Sequence, residues 1–138
     1  MATAITTTPT FLYIDDDAMG REIMDMLLSS KGYTQHTIFE DSADFLARVE
    51  ALNPTPDVFL LDVHVGPHNG FEMLAMLRSH PDLRSKTILA VTASVMNEEV
   101  AQLKKAGFDG AIGKPLDFEN FATVIEAILA GKEVWYVL

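Results

Sequence analysis

Short apolar runs alternate with helix-like segments along almost the whole chain, and this alternation limits the fold more than any other feature. The runs are too short for helices and end in turn or charged residues, so each is predicted to be a buried strand. The predicted strands are 11–14, 33–39, 57–61, about 87–91 and about 108–112. The predicted helices are 18 to about 31, 41 or 42 to about 52, 70–79, 95–106 and 117–130. Five βα units without repeats predict an α/β domain with one open parallel sheet and helices on both faces.

Capping residues and glycines mark the predicted helix ends. Asp17 and Asp117 are expected to cap the first and last helices, because a carboxylate accepts hydrogen bonds from the free N–H groups there. By the same argument the second helix begins after Asp41 or Ser42. Gly32 ends the first helix, since glycine readily adopts the left-handed backbone of a helix C-terminus.

The composition is that of one ordinary domain. The chain has 138 residues, of which 49% are hydrophobic, enough to bury a core and too many for a disordered chain. It has no cysteine, which excludes disulfides and thiolate chemistry. Residues 2–9 lack the features of a signal peptide and no run approaches about 20 apolar residues, so we expect a cytoplasmic protein. The net charge of -10 disfavours contact with nucleic-acid phosphates.

Charged residues follow three of the predicted strands. Asp15 and Asp16 follow the first strand, Asp62 follows the third and Lys114 follows the fifth. Because parallel strands all point the same way, these side chains are expected to meet at the edge where open α/β sheets bind ligands. Close carboxylates repel unless a cation lies among them, and Mg2+, which prefers oxygen ligands, is the simplest cation. The sequence therefore predicts a magnesium-dependent phosphoryl-transfer site.

These residues and their spacing resemble the receiver domain of bacterial two-component response regulators. The resemblance runs from about Phe11 to Ala130 and rests on matches in order: Asp15-Asp16, Asp62, Gly70, Thr92-Ala93 and Lys114-Pro115. It implies a flavodoxin-like sheet with strand order 2-1-3-4-5 and a phosphorylated aspartate, in a single-domain protein of the CheY-like type. We accordingly expect a flexible segment at 1–9, the receiver domain at 10–130 and an apolar tail at 131–138.

The resemblance implies a role for each acidic residue of the site. Asp62 would be the phospho-acceptor, a nucleophile that forms an acyl phosphate, and would also face the metal. Asp16 would bind Mg2+ directly, Asp15 would hold it partly through water, and the main-chain carbonyl of His64 would be a further ligand. Taken alone, Asp62 is more readily a turn or capping aspartate, so its role depends on its companions. Asp17 is assigned to helix capping.

Thr92 and Lys114 complete the implied site. The Thr92 hydroxyl would donate to a phosphoryl oxygen, although taken alone Thr92 is an ordinary β-branched strand residue. Lys114 would pair with Asp62 before phosphorylation and with phosphate afterwards, and the resemblance implies a cis Lys114-Pro115 bond. The chain has no G-x-x-x-x-G-K-[ST] or G-x-G-x-x-G motif for a nucleotide. The phosphoryl group would therefore come from a sensor histidine kinase or a histidine phosphotransfer protein. The protein would phosphorylate and dephosphorylate itself, without being an enzyme for an external substrate.

The chain departs from the family pattern at several positions. Gly66 stands where the loop after the acceptor usually has proline, which puts the shape of this loop in doubt. His64 and Ser94 occupy positions that tune dephosphorylation in the family, although His64 is as readily an exposed loop histidine. Ala111 stands where many receivers carry a switch aromatic. An aromatic flip on the fifth strand therefore cannot be the output mechanism, which leaves the coupling through Thr92 open.

Two apolar features point to contacts with other proteins, in addition to the expected downstream target. In the first helix, Met24, Leu27 and Leu28 form one stripe, while Met19, Ile23 and Met26 form a second. The second stripe is either a docking surface for the histidine-bearing partner or part of a broad buried face. The tail at 131–138 either folds onto the last helix, pairs with another subunit in a homodimer, or is a linker without a defined role.

Two other functions remain open at this point. In a small phosphohydrolase of the haloacid dehalogenase type, Asp15 would be the nucleophile and Asp17 the acid/base. That family usually continues with glycine and threonine, whereas Ala18 and Met19 follow here. A pseudo-receiver would bind partners without carrying phosphate. The altered loop and the missing switch aromatic keep this hypothesis open, and the intact acceptor, threonine and lysine oppose it.

Overall fold

The sheet contains six parallel strands in the part of the chain that the structure describes. A computed structural model describes residues 8–93 and 96–135. The strands are β1 (Phe11–Ile14), β2 (His36–Phe39), β3 (Val58–Asp62), β4 (Thr87–Thr92), β5 (Gly110–Gly113) and β6 (Val134–Trp135). Their order across the sheet is β2-β1-β3-β4-β5-β6. The expected α/β class and 2-1-3-4-5 order are confirmed, and β6 adds a strand that the apolar pattern did not predict.

Helices cover both faces of this sheet. They are α1 (Ala18–Ser30), α2 (Phe45–Glu50), α3 (Gly70–Arg78), α4 (Asn97–Ala106) and α5 (Phe118–Leu129). Asp17 and Asp117 cap α1 and α5 as predicted, each accepting a hydrogen bond from the backbone N–H three residues on. Gly32, just after α1, has a φ of 82°, which confirms its predicted role as a stop. No helix within 8–93 or 96–135 is long and apolar enough to cross a membrane.

The second helix is shorter than predicted. It begins at Phe45, and neither Asp41 nor Ser42 caps it. The Ser42 hydroxyl instead donates to the His68 carbonyl oxygen at 2.6 Å, so it binds the loop after β3. Asp44, directly before the helix, has a left-handed backbone with a φ of 51°. The Ser42 side chain, a predicted helix cap, thus binds a residue that is distant in sequence.

Two strands also begin later than predicted. Before β2, the Tyr33 N–H donates to the Leu28 carbonyl oxygen at 2.9 Å and so belongs to the turn that closes α1. Before β5, the Asp109 carboxylate accepts hydrogen bonds from the Ile88 N–H at 2.8 Å and from Arg78 at 3.0 Å. These contacts form turns that join neighbouring elements, and an apolar pattern does not reveal them.

Residues of each strand alternate between two apolar clusters, one on each face of the sheet. Phe11 and Tyr13 of β1 pack in the cluster that α1 and α5 cover. Leu12 and Ile14 of the same strand pack in the cluster on the opposite face, to which α2, α3 and α4 contribute. All four side chains are fully buried, so β1 lies at the centre of the molecule.

The two apolar stripes of α1 have different environments. Met24, Leu27 and Leu28 are buried against the sheet, as predicted for the first stripe. In the second stripe, Met19 and Met26 are 68% and 63% exposed. Ile23, the third residue of this stripe, is half-buried and packs against the cluster that α1 and α5 cover. The second stripe is therefore surface at its two methionines and joins the core at Ile23.

The described part of the tail forms a strand within the same chain. Val134 and Trp135 pair in parallel with Gly110 and Ala111 of β5. Val134 also packs against the cluster beneath α5. The described part of the tail therefore contacts its own sheet as well as the cluster beneath the last helix, which agrees with the first of the three alternatives for the tail. Residues 1–7 of the expected N-terminal segment and residues 136–138 lie outside the described residues.

Candidate magnesium and phosphoryl site

Three aspartates and one lysine meet at the carboxyl edge of the sheet. Asp15 and Asp16 follow β1, Asp62 ends β3, and Lys114 follows β5. One oxygen from each aspartate lies within 4.8 Å of the others. Lys114 Nζ donates to Asp62 Oδ2 at 2.8 Å and to Asp15 Oδ2 at 3.1 Å. The structure thus brings together the acidic residues and the lysine that the sequence analysis selected.

The two adjacent aspartates differ in how much of their hydrogen-bonding capacity is used. Asp15 is fully buried, and its Oδ1 accepts from the Asp17 N–H at 3.0 Å. Its Oδ2 accepts from Lys114 and from the Tyr13 hydroxyl, the latter at 2.6 Å. Asp16 is exposed. Protein donors hold Asp15 in place, whereas Asp16 offers its oxygens to solvent, where a hydrated Mg2+ would be bound.

Asp62 is nearly buried at the end of β3. Its Oδ1 accepts from the His64 N–H at 2.9 Å, and its Oδ2 accepts from Lys114. The hydrogen bond to His64 closes the turn after the strand and leaves the His64 side chain exposed. Both Asp62 oxygens thus have a fixed donor, so the direction of the carboxylate is set before any ligand arrives.

Burial and hydrogen bonding shift the pKa values of these groups in different directions. Burial raises the pKa of Asp62 above its usual value, and the contacts from Lys114 and the His64 N–H offset this only in part. Burial acts in the same sense on Asp15, but the donors Tyr13, Asp17 and Lys114 outweigh it and lower the pKa of that carboxyl. Burial would lower the pKa of Lys114, yet its two carboxylate partners raise it. The resting site therefore contains a charged lysine between two carboxylates of unequal basicity.

Tyr13 belongs to this site and was missed by the sequence analysis. Its ring is fully buried on β1, and its hydroxyl reaches the Asp15 carboxylate. Burial and this carboxylate raise the pKa of the Tyr13 hydroxyl, so it keeps its proton and acts as a donor. The period of two along a strand places residues 13 and 15 on one side. A buried tyrosine hydroxyl also needs a hydrogen-bond partner. Together, these two facts could have predicted the contact between Tyr13 and Asp15.

Two glycines allow backbone to approach the acidic residues closely. A Cβ on Gly70 would lie 2.8 Å from the Val63 Cα, so α3 could not start against the turn after Asp62 with a larger residue. A Cβ on Gly20 would collide with Asp15 Oδ2. Gly70 was predicted to be important from its spacing, whereas Gly20 was not.

Thr92 and Lys114 lie beside each other at the ends of β4 and β5. Thr92 is the last residue of β4 and is 2% exposed. The Lys114 N–H donates to the Thr92 carbonyl oxygen at 2.8 Å, which joins the two strand ends. The Lys114-Pro115 bond is cis, as the resemblance implied. Ser94, the other predicted tuning position, lies outside the described residues.

The loop after Asp62 is held by the turn that precedes α2. The Ser42 N–H donates to the Gly66 carbonyl oxygen at 3.1 Å, and the Ser42 hydroxyl both donates to and accepts from His68. The Gly66-Pro67 bond is cis. Although the loop lacks the usual proline at position 66, these hydrogen bonds to Ser42 hold it in place.

An aromatic side chain lies next to Ala111, although β5 has none. Ala111 is buried and pairs in register with Trp135 of β6. Trp135 packs against the same apolar cluster as Ala111. The Lys104 ammonium of α4 lies 5.3 Å from the centre of the Trp135 ring, within range of a cation–π contact. The neighbouring strand thus supplies an aromatic ring between β5 and α4.

Asp17, which the phosphohydrolase hypothesis needs as acid/base, makes a different contact. Asp17 Oδ2 accepts from the Gly20 N–H at 3.0 Å and caps α1. A carboxylate committed to a helix N-terminus is poorly placed to donate and accept protons at Asp15. The geometry thus favours the capping role.

The chain is similar to a known protein family and to individual relatives. The family model described as the response regulator receiver domain matches residues 11–126. Stress response regulator protein 1 of Meyerozyma guilliermondii is 32% identical over 110 residues, which are 78% of this chain and 50% of that protein. This chain thus spans half the length of that relative. The polar-differentiation response regulator DivK of Brucella ovis is 26% identical over 123 residues, covering 88% of this chain and 97% of that protein.

Solved structures share the fold. The chemotaxis response regulator CheY4 of Vibrio cholerae superposes with a TM-score of 0.79 at 24% identity, covering 88% of this chain and 99% of that chain. The receiver domain of the sensor histidine kinase PA1611 of Pseudomonas aeruginosa PAO1 gives a TM-score of 0.77 at 19% identity, covering 91% and 100%. That structure contains a magnesium ion coordinated in its active site cleft.

Proposed function

The chain belongs to the response regulator receiver domain family, and from that premise we propose that it is a phospho-acceptor of a two-component phosphorelay with Asp62 as the acceptor. The observation that carries this proposal is Lys114, whose ammonium contacts both Asp62 and Asp15. A cation held between a nucleophile and a metal-binding carboxylate is already in position to meet a transferred phosphoryl group.

The proposed reaction forms an acyl phosphate. An Asp62 oxygen attacks the phosphorus of a phosphohistidine, and the new O–P bond forms as the P–N bond of the donor breaks. The electron pair of the broken bond stays on the imidazole nitrogen, which takes up a proton from water. Later attack of water on the acyl phosphate releases inorganic phosphate and restores Asp62. The protein catalyses both steps on itself and turns over no external substrate.

The carboxylates of the site fit Mg2+, because Asp15, Asp16 and Asp62 offer hard oxygen ligands from one small volume. Asp16 would hold the ion directly, with Asp15, Asp62 and the His64 carbonyl as further ligands. When bound, the ion neutralises charge on the carboxylates and on the phosphoryl oxygens. Lys114 provides positive charge from the β5 side of the same site.

Thr92 and Lys114 would contact the phosphoryl group on Asp62 and respond to its charge. Thr92 ends β4, the strand that leads to α4, so a shift of Thr92 towards the phosphoryl group would be passed to that helix. We propose that this shift changes the affinity for a downstream protein. The donor is a sensor histidine kinase or a histidine phosphotransfer protein, and the exchange takes place in the cytoplasm.

The second stripe of α1 supports contact with the donor. Met19 and Ile23 line a groove of about 310 Å3 with Ala93, Lys114 and Leu116, so an apolar surface borders the reactive lysine. Methionine side chains adapt to different partners. Ile23→Glu should impair transfer from a phosphohistidine protein and spare small-molecule donors; equal loss with both kinds of donor would contradict this docking surface.

The choice of donor tests the proposed function. Phosphoramidate contains the same P–N bond as phosphohistidine and needs no nucleotide site. With Mg2+, it should phosphorylate the protein, whereas ATP at the same concentration should not, as measured by intact mass. Asp62→Asn should abolish the gain, and Asp82→Asn, a change at an exposed aspartate, should not alter it. Phosphorylation by ATP alone, or none by phosphoramidate, would contradict the proposal.

A further inference from the structure

The Tyr13 hydroxyl is buried and donates to an acidic residue of the site. Tyr13 lies on β1 two residues before Asp15, and its Oη is 2.6 Å from Asp15 Oδ2. A hydrogen bond from a neutral donor to a buried carboxylate is among the stronger kinds in proteins. The same oxygen also accepts from Lys114 at 3.1 Å, so two donors share it.

This sharing matters when a phosphoryl group reaches Asp62. In the proposed function Lys114 turns its donors to the phosphoryl oxygens, and its contact with Asp15 weakens. Asp15 has no exposed surface, so bulk water does not reach its Oδ2, and this oxygen depends on the donors beside it when the lysine leaves. A buried carboxylate oxygen without a donor is costly, and this cost would oppose the phosphorylated state.

Asp15 cannot avoid that cost by moving. On one side the backbone of α1 approaches so closely that a Cβ on Gly20 would collide with Asp15 Oδ2. On the other side Asp15 Oδ1 is held by the Asp17 N–H at 3.0 Å. The carboxylate therefore stays within reach of the Tyr13 hydroxyl when its contact with Lys114 weakens.

We propose that Tyr13 is a positioning residue, which keeps the buried Asp15 carboxylate satisfied and so frees Lys114 to bind the phosphoryl group on Asp62. This inference deepens the proposed function and rests on it. It assigns Tyr13 no contact with the phosphoryl group or the metal. Its effect is on the lysine, through the oxygen that the two donors share.

Beryllofluoride, which mimics an acyl phosphate when bound to the acceptor with Mg2+, tests this inference by calorimetric titration. Tyr13→Phe should weaken beryllofluoride binding about tenfold, equivalent to about 1.4 kcal/mol. Binding of Mg2+ alone should change less than about threefold, because Lys114 stays with the carboxylates in that state. Tyr33→Phe removes the same atom from a ring that packs on Phe11, away from the site, and should change neither.

The outcomes separate the inference from the proposed function. If the unmodified protein binds no beryllofluoride, both fail. If it binds and Tyr13→Phe binds equally well, or loses Mg2+ and beryllofluoride affinity in equal measure, only the inference fails, because Tyr13 then does not act through Lys114.

Gly20→Ala provides a second variant, which leaves the Tyr13 side chain unchanged. Its methyl group should displace Asp15 from Tyr13 and weaken beryllofluoride binding, although alanine is the better helix former. Unchanged beryllofluoride affinity in folded Gly20→Ala would overturn the inference.

Discussion

The individual residues of the site are distinguished mainly by burial and by the donors around them. Asp15, Asp16 and Asp17 are consecutive, yet one is buried with its donors in place, one is exposed, and one caps α1. The strand and helix on either side cause these differences, because the turn between them points each side chain in its own direction. Three equal charges in sequence therefore lie in different environments.

Asp16 and Asp17 allow a matched test of metal binding. Mg2+ should raise the free energy of unfolding by about 2.7 kcal/mol at 100 times its dissociation constant. Asp16→Asn should remove most of this gain, because it takes away the exposed ligand. Asp17→Asn makes the same charge change but keeps a capping side chain, so the gain should remain. Thermal melts with and without Mg2+ measure both, and an equal response of the two variants would refute the role of Asp16.

The raised pKa of Asp62 has a consequence for pH dependence. In metal-free protein its carboxyl should titrate above the usual value of about 3.9 for aspartate, and only the ionised form can attack phosphorus. A raised pKa means that the folded state binds this proton more tightly than the unfolded state. Its contribution to stability is therefore present at low pH and is lost as pH rises through the folded pKa.

Carbon-13 NMR of the Asp62 carboxyl group measures this titration. Lys114→Gln should raise the pKa of Asp62 further, since it removes a stabilising cation. Asp15→Asn should lower the pKa, since it removes a neighbouring carboxylate that acts to raise it. A fall in the Asp62 pKa with Lys114→Gln, or a rise with Asp15→Asn, would contradict these electrostatic causes.

At the level of elements, the sequence predicted the strands that carry the site better than the segments around them. β1, β3 and β4 are nearly continuous apolar runs, and every residue of β1 and β3 is buried, so their pattern was clear. The start of α2 and the two-residue strand β6 depend on partners distant in sequence, such as His68 for Ser42. No local pattern contains that information.

Trp135 shows how much a short element contributes. It joins β6 to the cluster around Ala111 and lies under Lys104 of α4. Trp135→Ala should lower the free energy of unfolding by about 1–3 kcal/mol in urea denaturation, because it leaves a gap beside β5. Phe118→Ala, at a ring that is 54% exposed, should cost less than about 0.5 kcal/mol. Equal losses of unfolding free energy in these two variants would mean that Trp135 makes no specific contact.

For the whole molecule, the topology of the sheet explains why the site could be foreseen from sequence. β1 lies between β2 and β3, so the order reverses beside β1, and the residues after β1, β3 and β5 meet there. Convergence of Asp15, Asp62 and Lys114 follows from parallel strands alone. The contacts of Tyr13 and Gly20 with Asp15 do not, because they depend on how closely α1 packs on β1. Packing distances of this kind are set by the whole core.

The central claim is that Asp62, and no other carboxylate, accepts the phosphoryl group. Its most direct test is to treat the protein with acetyl phosphate and Mg2+, reduce the acyl phosphate with borohydride, and locate the modified residue by peptide mass spectrometry. The account predicts a gain of about 80 Da before reduction and a modified residue at position 62 only. Modification at Asp15 would support the phosphohydrolase chemistry, and no modification under conditions in which beryllofluoride also fails to bind would contradict the receiver function altogether.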